Sequence, residues 1–515
     1  MTRKTASRIR ITRRIVQALS LCLIILLIWN TRYPLSGFVN PAFLFMIDPL
    51  VMFITAIAER VLLAGLILAS IHILLTFIFG RFFCGWICPL GTCIDIAGAL
   101  KSSAARLFRT RVRESGPGTT RLTKYLLLAS LVTAALFGIQ LAWFFDPITI
   151  FVRAFSFTIH PALNAALDGA LSRTIIFLDY PEWLESFYEA IHGPILTTSL
   201  AHFPHTVIAF AVFIVICLAS LIRRRFWCRY LCPVGASLAI PAVRPLLHRD
   251  ATACVSNCGS CRDICRTGAI RSDNTYAAEE CILCMDCVAV CPRETASTFT
   301  MKRAGAKRAS GGGISRARFI SLAAGTIASI AVPRIGSAAA GRKRSGKAAH
   351  IRPPGSIPEE EFVQRCVRCG NCMKVCPTNL LQPIPLFENT EAAWTPVMDF
   401  DRGYCEYGCA LCGRVCPTEA IRELRLKDKQ SLQIGVAIIN QKACLPYAKG
   451  ENCIVCEEHC PVPDKAIKIR NGMVRGRRVH LPYVIPSLCI GCGICEHKCP
   501  IQPDKGITIS ALRKV

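Results

Sequence analysis

No Cys-x-x-Cys-His segment occurs in this 515-residue chain, which argues against covalently attached c-type haem. A glycine-rich dinucleotide fingerprint and a P-loop are also missing, so the chain is not expected to oxidise nicotinamide or hydrolyse nucleotide by itself. Acidic residues are scarce: 34 Asp and Glu stand against 61 Lys and Arg, a formal net charge of +27. Charged residues make up only 18% of the chain against 52% hydrophobic ones, with a mean hydropathy of +0.41. A chain this long exceeds one domain, and one this apolar is not wholly soluble. A membrane part with additional domains is therefore expected.

Cysteine, by contrast, is abundant at 31 residues. Twenty-four of them form six quartets. Cys281/Cys284/Cys287/Cys291, Cys366/Cys369/Cys372/Cys376 and Cys489/Cys492/Cys495/Cys499 have the bacterial ferredoxin spacing, and Cys405/Cys409/Cys412/Cys416 is one residue wider at its first gap. All four end in Cys-Pro. Cys254/Cys258/Cys261/Cys265 is followed by Arg266 instead of proline, and Cys444/Cys453/Cys456/Cys460 has a long first gap before Pro461. A 4Fe-4S cube needs four converging soft thiolates, and three closely spaced cysteines supply most of that geometry locally.

In two-cluster ferredoxins the last cysteine of one quartet ligates the neighbouring cluster. Cys291 is thus expected to complete the Cys254/Cys258/Cys261 site and Cys265 the Cys281/Cys284/Cys287 site, giving three dicluster units. Zinc and disulfides are the alternatives. Zinc sites use two separated pairs, whereas these runs place a third cysteine two residues on, with Cys-Pro after it. Each oxidised cube with its four thiolates carries about −2, so six would remove about 12 of the positive charges. Nucleic-acid binding is not implied.

Four apolar stretches are expected to span a membrane: Ile15–Trp29, Val61–Phe83, Tyr125–Phe145 and Thr206–Ile222. Arg3, Lys4, Arg8, Arg10, Arg13 and Arg14 precede the first, and a second basic run from Lys101 to Lys124 separates the second from the third. Both should be cytoplasmic. The loop from Asp146 to Pro204 carries only Arg153 and Arg173 and should lie outside, and Asn40–Ala58 is read as a re-entrant or interfacial segment on the outer face.

An internal repeat runs through this region. Asp48-Pro49 precedes the second span, which ends in Arg81-Phe82-Phe83-Cys84-Gly85-Trp86-Ile87-Cys88-Pro89; Asp146-Pro147 precedes the fourth, which ends in Arg225-Phe226-Trp227-Cys228-Arg229-Tyr230-Leu231-Cys232-Pro233. Two helical pairs of one design suggest a pseudo-symmetric four-helix bundle. Cys84, Cys88, Cys228 and Cys232 supply enough thiolates for a seventh cluster if the repeats face each other; redox-active or merely structural cysteines are the alternatives. Cys93 is near enough in sequence to substitute as a ligand, and Cys22 and Cys217 read as ordinary buried residues.

The expected order is a basic N-terminus (1–14), a four-span membrane domain (15–245), a dicluster ferredoxin domain (246–300), a basic linker (301–360) and a four-cluster α+β ferredoxin-type domain (361–515). Within the linker, Ser315-Arg316-Ala317-Arg318-Phe319-Ile320, a mild apolar stretch and Ala338-Ala339-Ala340 look like a twin-arginine export signal with its arginines split. Short β-branched pieces such as Ile467-Lys468-Ile469 and Ile507-Thr508-Ile509 read as small strands.

The four spans, paired Cys-x3-Cys-Pro motifs and two following quartets resemble the membrane ferredoxin subunit of periplasmic nitrate reductase electron chains, the NapH type. From about Ser315, the export-like signal, the Arg352-Pro353-Pro354-Gly355 lead-in and four quartets resemble its NapG-type partner. The departures are the split arginines and the missing proline after Cys265. The resemblance implies a multi-pass protein of the bacterial inner membrane, with residues 1–318 cytoplasmic apart from spans and outer loops and a periplasmic C-terminal domain. It implies electron transfer from the quinone pool, with quinol as substrate, to a periplasmic or membrane-bound reductase or multihaem cytochrome. The membrane module also resembles accessory proteins of nitrous oxide reduction and oxidase maturation.

Quinol oxidation needs proton acceptors, and the candidates are Asp48, Glu59, His72, Asp146, His202 and His205; intramembrane ionisable groups default to functional hypotheses. The Asp-Pro motifs are expected outside and the Cys-x3-Cys-Pro motifs inside, which separates proton and electron sites. Two rival readings are a membrane-tethered cytoplasmic polyferredoxin and a redox or assembly factor for a respiratory metalloenzyme.

Overall fold

The computed structural model describes residues 3–35, 39–107, 122–192, 196, 203, 206–243, 245–250, 258–270, 276–292, 297–301, 350–386 and 388–512. Most of the second basic run, the export-like segment, Cys254, His202 and His205 lie outside the described residues. Two compact units form, neither contiguous in sequence. The first comprises Met1–Trp29, Pro41–Thr158 and Thr206–Arg334; the second comprises Asn30–Asn40, Ile159–His205 and Ile335–Val515.

The first unit is helical. Its N-terminal helix, Arg3–Trp29, is 27 residues long. Among the described residues two helices are long and apolar enough to cross a membrane, Thr5–Trp29 and Pro147–Phe177, the latter continuing from the first unit into the second. The second of these falls in the segment read from sequence as an outer loop, and runs on through a π-helical turn at Phe155–Ile159.

The other expected spans are shorter helices: Gly65–Phe79, Thr123–Leu136 and Val207–Ile222, of 15, 14 and 16 residues. Each is interrupted by a backbone conformation that a helix cannot hold. Gly80 (φ +63°) separates Gly65–Phe79 from Phe82–Trp86, Gly138 (φ +77°) follows Thr123–Leu136, and Arg225 (φ +50°) separates Val207–Ile222 from Phe226–Tyr230.

Between these helices lie two half-length ones that start at the Asp-Pro motifs. Asp48 caps Pro49–Glu59 by accepting from the N–H groups of Leu50 and Val51, and Asp146 caps Pro147–Ala154 by accepting from that of Thr149. Proline at the first helical position and a carboxylate before it are strong start signals. Pro147–Ala154 is buried throughout. It packs against Val207–Ile222 and Pro89–Leu107, while Pro49–Glu59 packs against Thr123–Leu136 and Gly65–Phe79. Asn40–Ala58, read from sequence as a re-entrant or interfacial segment, contains the helix Pro49–Glu59, which packs within the bundle. The first dicluster region completes this unit, closed by the antiparallel pair His248–Asp250 and Thr298–Thr300.

In the second unit, three two-stranded antiparallel sheets pair Leu381–Pro383 with Pro396–Met398, Gly435–Ile439 with Ile507–Ala511, and Ile467–Val474 with Arg477–Val484. The hairpin of the last pair turns through Arg475 and Gly476, both at positive φ, as a tight two-residue turn requires. The strands expected at Ile467 and Ile507 both form. Segments 30–40 and 159–205 belong to this same unit, and Asn40 donates its side-chain amide to the carbonyl of Arg414 at 2.7 Å.

Candidate functional site

The second unit contains four cavities of about 290 to 390 Å³, each lined by three cysteines of one quartet and the last cysteine of another. Cys366, Cys369 and Cys372 share a cavity with Cys416, and Cys405, Cys409 and Cys412 share one with Cys376. Cys489, Cys492 and Cys495 meet Cys460, and Cys444, Cys453 and Cys456 meet Cys499. This is the ferredoxin exchange of the fourth ligand. The local cause is visible at each Cys-Pro: proline ends the short helix behind the third cysteine and turns the fourth toward the neighbouring site.

In the first unit, Cys265 lies close enough to perturb the thiols of Cys281, Cys284 and Cys287 electrostatically, as the same exchange requires. The partner site keeps Cys258, Cys261 and Cys291 among the described residues. Arg266, which stands where the other quartets carry proline, forms ion pairs with Asp286 at 2.6 Å and Asp95 at 3.1 Å. The missing proline thus marks a position that ties this region to the helical bundle.

Among the described residues, no three His, Cys, Asp or Glu side chains converge tightly enough for a single metal ion. Four cysteines line each cavity, a donor set that fits a 4Fe-4S cube. Backbone N–H groups of Ala437, Gly506 and Ile421 donate to Cys489, Cys499 and Cys416 at 3.4 to 3.5 Å. Such bonds favour thiolate ligands and tune cluster potential. Burial works the other way, pushing Cys405 and Cys444 up to about 11 and Cys456 and Cys492 up to about 12.

A fifth cavity, of about 320 Å³, lies inside the bundle and is lined by Cys84, Cys88, Cys228 and Cys232 with Pro147 and Trp227. The repeats do face each other. Cys88 and Cys232 each precede a helix and accept from the N–H of Gly91 and Gly235, at 3.5 and 3.3 Å. Cys93 does not line this cavity; it neighbours Cys217.

Two buried arginines, three residues before the first cysteine of each motif, reach across to the opposite repeat. Arg225 donates to the carbonyl of Cys84 at 2.7 Å and to that of Gly91 at 3.4 Å. Arg81 lies so close to Gly235 that a Cβ there would sit 2.5 Å from its Nη2. Arg81 pairs with Glu280 at 2.9 Å, and Lys124 reaches both oxygens of Glu280 at 2.6 Å. Arg225 pairs with Asp95 at 2.8 Å. The two guanidinium groups stand beside the four cysteines, each already paired with a carboxylate, Glu280 for Arg81 and Asp95 for Arg225. Their signal was present in the sequence, as an arginine at the same offset in both repeats.

The bundle site abuts the first dicluster region directly. A Cβ on Gly85 would stand 2.2 Å from the carbonyl oxygen of Ile282, so only glycine fits between Cys84 and the loop that joins Cys281 to Cys284. Of the six proton-acceptor candidates, Asp48 and Asp146 are both buried, and each caps the half-helix that follows it. His72 is buried and bonds the carbonyl of Ile47 through Nδ1 at 2.9 Å, while Glu59 ends the helix Pro49–Glu59 away from Asp48.

Comparison with known families agrees with these geometries. A family described as "4Fe-4S binding domain" matches residues 61–110 and 206–249, a "4Fe-4S dicluster domain" matches 365–420, a second "4Fe-4S binding domain" matches 482–502, and the family described as NosR matches 252–308. The methylamine utilization ferredoxin-type protein MauM of Methylorubrum extorquens is 35% identical over 152 residues, 29% of this chain and 67% of that protein. Ferredoxin-type protein NapG of Escherichia coli is 35% identical over 159 residues, 30% of this chain and 67% of that protein. Ferredoxin-type protein NapF of the same organism is 31% identical over 152 residues, 30% of this chain and 81% of that protein. No solved structure matches the chain significantly. With its quartets paired across neighbouring sites, and with NapG and NapF of Escherichia coli matched over 67% and 81% of their length, the chain belongs to the NapG-type family of ferredoxin-type 4Fe-4S electron-transfer proteins.

Proposed function

We propose that this protein is a membrane-bound electron-transfer protein that takes electrons from quinol and delivers them to a periplasmic or membrane-associated reductase. The observation that carries this reading is the four-cysteine cavity inside the apolar bundle, backed directly onto the first dicluster region at Gly85 and Ile282. When bound, 4Fe-4S clusters supply one-electron carriers at these cysteines. The chain's own contribution is to hold the sulfurs in place, exclude water from them and brace the two motifs against each other through Arg81 and Arg225.

The proposed membrane part has four crossings and two repeats, as in a NapH-type subunit, with the interrupted helices continued by the short ones that follow them. Polar interruptions are tolerated at membrane depth where they are buried in protein or line a cavity. Support for a periplasmic C-terminal domain comes from the second unit, where residues 335–515 gather with segments 30–40 and 159–205. The charge rule puts both segments on the side away from the basic N-terminus. A C-terminal alkaline phosphatase fusion should be active and a fluorescent protein fusion dark; the opposite pattern favours the cytoplasmic polyferredoxin.

Quinol as donor is tested on anaerobically purified protein in liposomes. A reduced menaquinol analogue should bleach the iron-sulfur absorbance rapidly, and a quinone-site inhibitor should block it. Bleaching by dithionite alone would contradict the proposal.

A further inference from the structure

The two Cys-x3-Cys-Pro motifs are built alike, but the N–H groups around their common cavity are not distributed evenly. Arg225 commits its whole guanidinium: Nε and Nη2 donate to Asp95 at 2.9 and 2.8 Å, and Nη1 donates to the carbonyl of Cys84 at 2.7 Å. Arg81, its counterpart, commits only Nη1, to Glu280 at 2.9 Å and to the carbonyl of Glu279 at 3.3 Å. Its Nε and Nη2 have no partner among the described residues, in a side chain that is 0% exposed. The indole Nε1 of Trp227, a residue 7% exposed, is likewise without a partner there. Trp86 and Trp143 of the same unit both donate, to the carbonyls of Leu283 at 3.2 Å and Gln140 at 3.0 Å. A buried N–H left without an acceptor is costly, and folded proteins keep few of them.

Arg81 and Trp227 both line the cavity of Cys84, Cys88, Cys228 and Cys232. Nη2 of Arg81 lies at Gly235, whose own N–H donates to Cys232 at 3.3 Å, and Trp227 immediately precedes Cys228. Both uncommitted donors therefore belong to the side of the second motif. At the position of Trp227 the first motif carries Phe83, whose ring has no N–H to give. Phe83, Leu90, Gly91, Pro147 and Val234 complete the lining, so the side-chain acceptors that it offers are the four sulfurs.

We propose that Trp227 tunes this site: its indole N–H donates to a sulfur of the cluster held by Cys84, Cys88, Cys228 and Cys232, beside the uncommitted N–H groups of Arg81, and raises the reduction potential so that quinol can reduce it. Each reduction adds one electron, from quinol or from dithionite in the test, and takes a cube with its thiolates from about −2 to about −3. Quinol gives up its two electrons one at a time and releases its two protons to water. A hydrogen bond to sulfur holds the more negative form better than the less negative one, and a dry, low-dielectric site enlarges the difference. Quinol is a mild reductant, so a cluster with the low potential usual of ferredoxins would hold its electron poorly. The inference rests on the proposed reading of the four cysteines as a redox site.

The test is a redox titration of the full-length protein, followed by electron paramagnetic resonance. The signal of the bundle site is identified by its loss, with about four irons, in Cys84→Ser/Cys228→Ser. In Trp227→Phe, which gives the second motif the ring that the first already carries, this signal should persist. Its reduced-to-oxidised ratio at a fixed ambient potential should fall about three- to tenfold, the effect of one hydrogen bond, with the other signals unmoved. A variant that keeps its irons and its signal but titrates at the parental potential overturns the inference. Independently of how that variant folds, parent protein grown with indole-15N tryptophan should show a 15N hyperfine coupling on the same signal, and its absence overturns Trp227 as donor. Retention of every iron in Cys84→Ser/Cys228→Ser overturns instead the reading of the four cysteines as a cluster site.

Discussion

The indole N–H of Trp86 donates to the carbonyl of Leu283 at 3.2 Å, joining the loop between Cys84 and Cys88 to the loop between Cys281 and Cys284. Beside it, the Gly85 backbone lies against Ile282 with no room for a methyl group. Gly85→Ala forces this contact apart and should cost about 1–3 kcal/mol, the usual range for overpacking. Hydrogen exchange should show faster exchange in residues 276–292, with residues 350–512 unchanged.

Exchange of the fourth ligand makes a specific claim about Cys416. In Cys416→Ser, the site of Cys366, Cys369 and Cys372 should be damaged, and the site nearest in sequence, of Cys405, Cys409 and Cys412, should survive. Adding Cys366→Ser should then cause no further loss of bound iron, and adding Cys405→Ser should remove about four more irons. Iron analysis with electron paramagnetic resonance of the reduced protein reads this directly.

Glu280 sits between two buried cations, Arg81 and Lys124, whose side chains are fully enclosed. Removing its charge in Glu280→Gln leaves both uncompensated beside the bundle site. Loss of one partner of a buried pair costs about 3–5 kcal/mol. Denaturant unfolding followed by loss of iron-sulfur absorbance should shift accordingly, and Glu280→Asp should recover part of the loss.

Acid should loosen the opposite corner. Burial alone would raise the carboxyl of Asp95, but the Arg225 guanidinium, with Arg266 and Gln17, holds it well below the usual carboxylate range. Its unfolded-state value is ordinary, so between the two values the folded protein binds fewer protons than the unfolded chain. The contribution is present above about pH 4 and is lost as pH falls through the depressed folded value. Asp95→Asn should weaken the protein at pH 6 and flatten its response to acid below pH 4, as measured by unfolding at a series of pH values.

Much of this protein is legible in its sequence because cluster ligation is local. Three cysteines within seven residues and a following Cys-Pro specify most of a site, and both the quartets and the crossed fourth ligand were readable in that spacing. What the sequence concealed is longer in range. The Asp48-Pro49 and Asp146-Pro147 motifs read as helix starts, but nothing local says that their helices are half-length and buried, since apolar residues suit a bundle interior and an interfacial segment equally. Val61–Phe83 reads as one continuous apolar span, because hydropathy does not register the left-handed conformation at Gly80 that divides it. Arg81 and Arg225 appeared as basic residues at span ends; only the repeat itself hinted that each serves the motif of the other half. Arg266 was legible as an absence of proline and became meaningful through Asp95 and Asp286.

The most direct test asks whether electrons enter through the bundle site. The Cys84→Ser/Cys228→Ser variant is compared with the parent protein in liposomes, each mixed anaerobically with a menaquinol analogue and then with dithionite. The expected result is loss of quinol-driven bleaching in the variant, at least tenfold in rate, while dithionite still reduces the ferredoxin-type sites. Bleaching by quinol at the parental rate in a variant that retains its other clusters would contradict entry at Cys84, Cys88, Cys228 and Cys232.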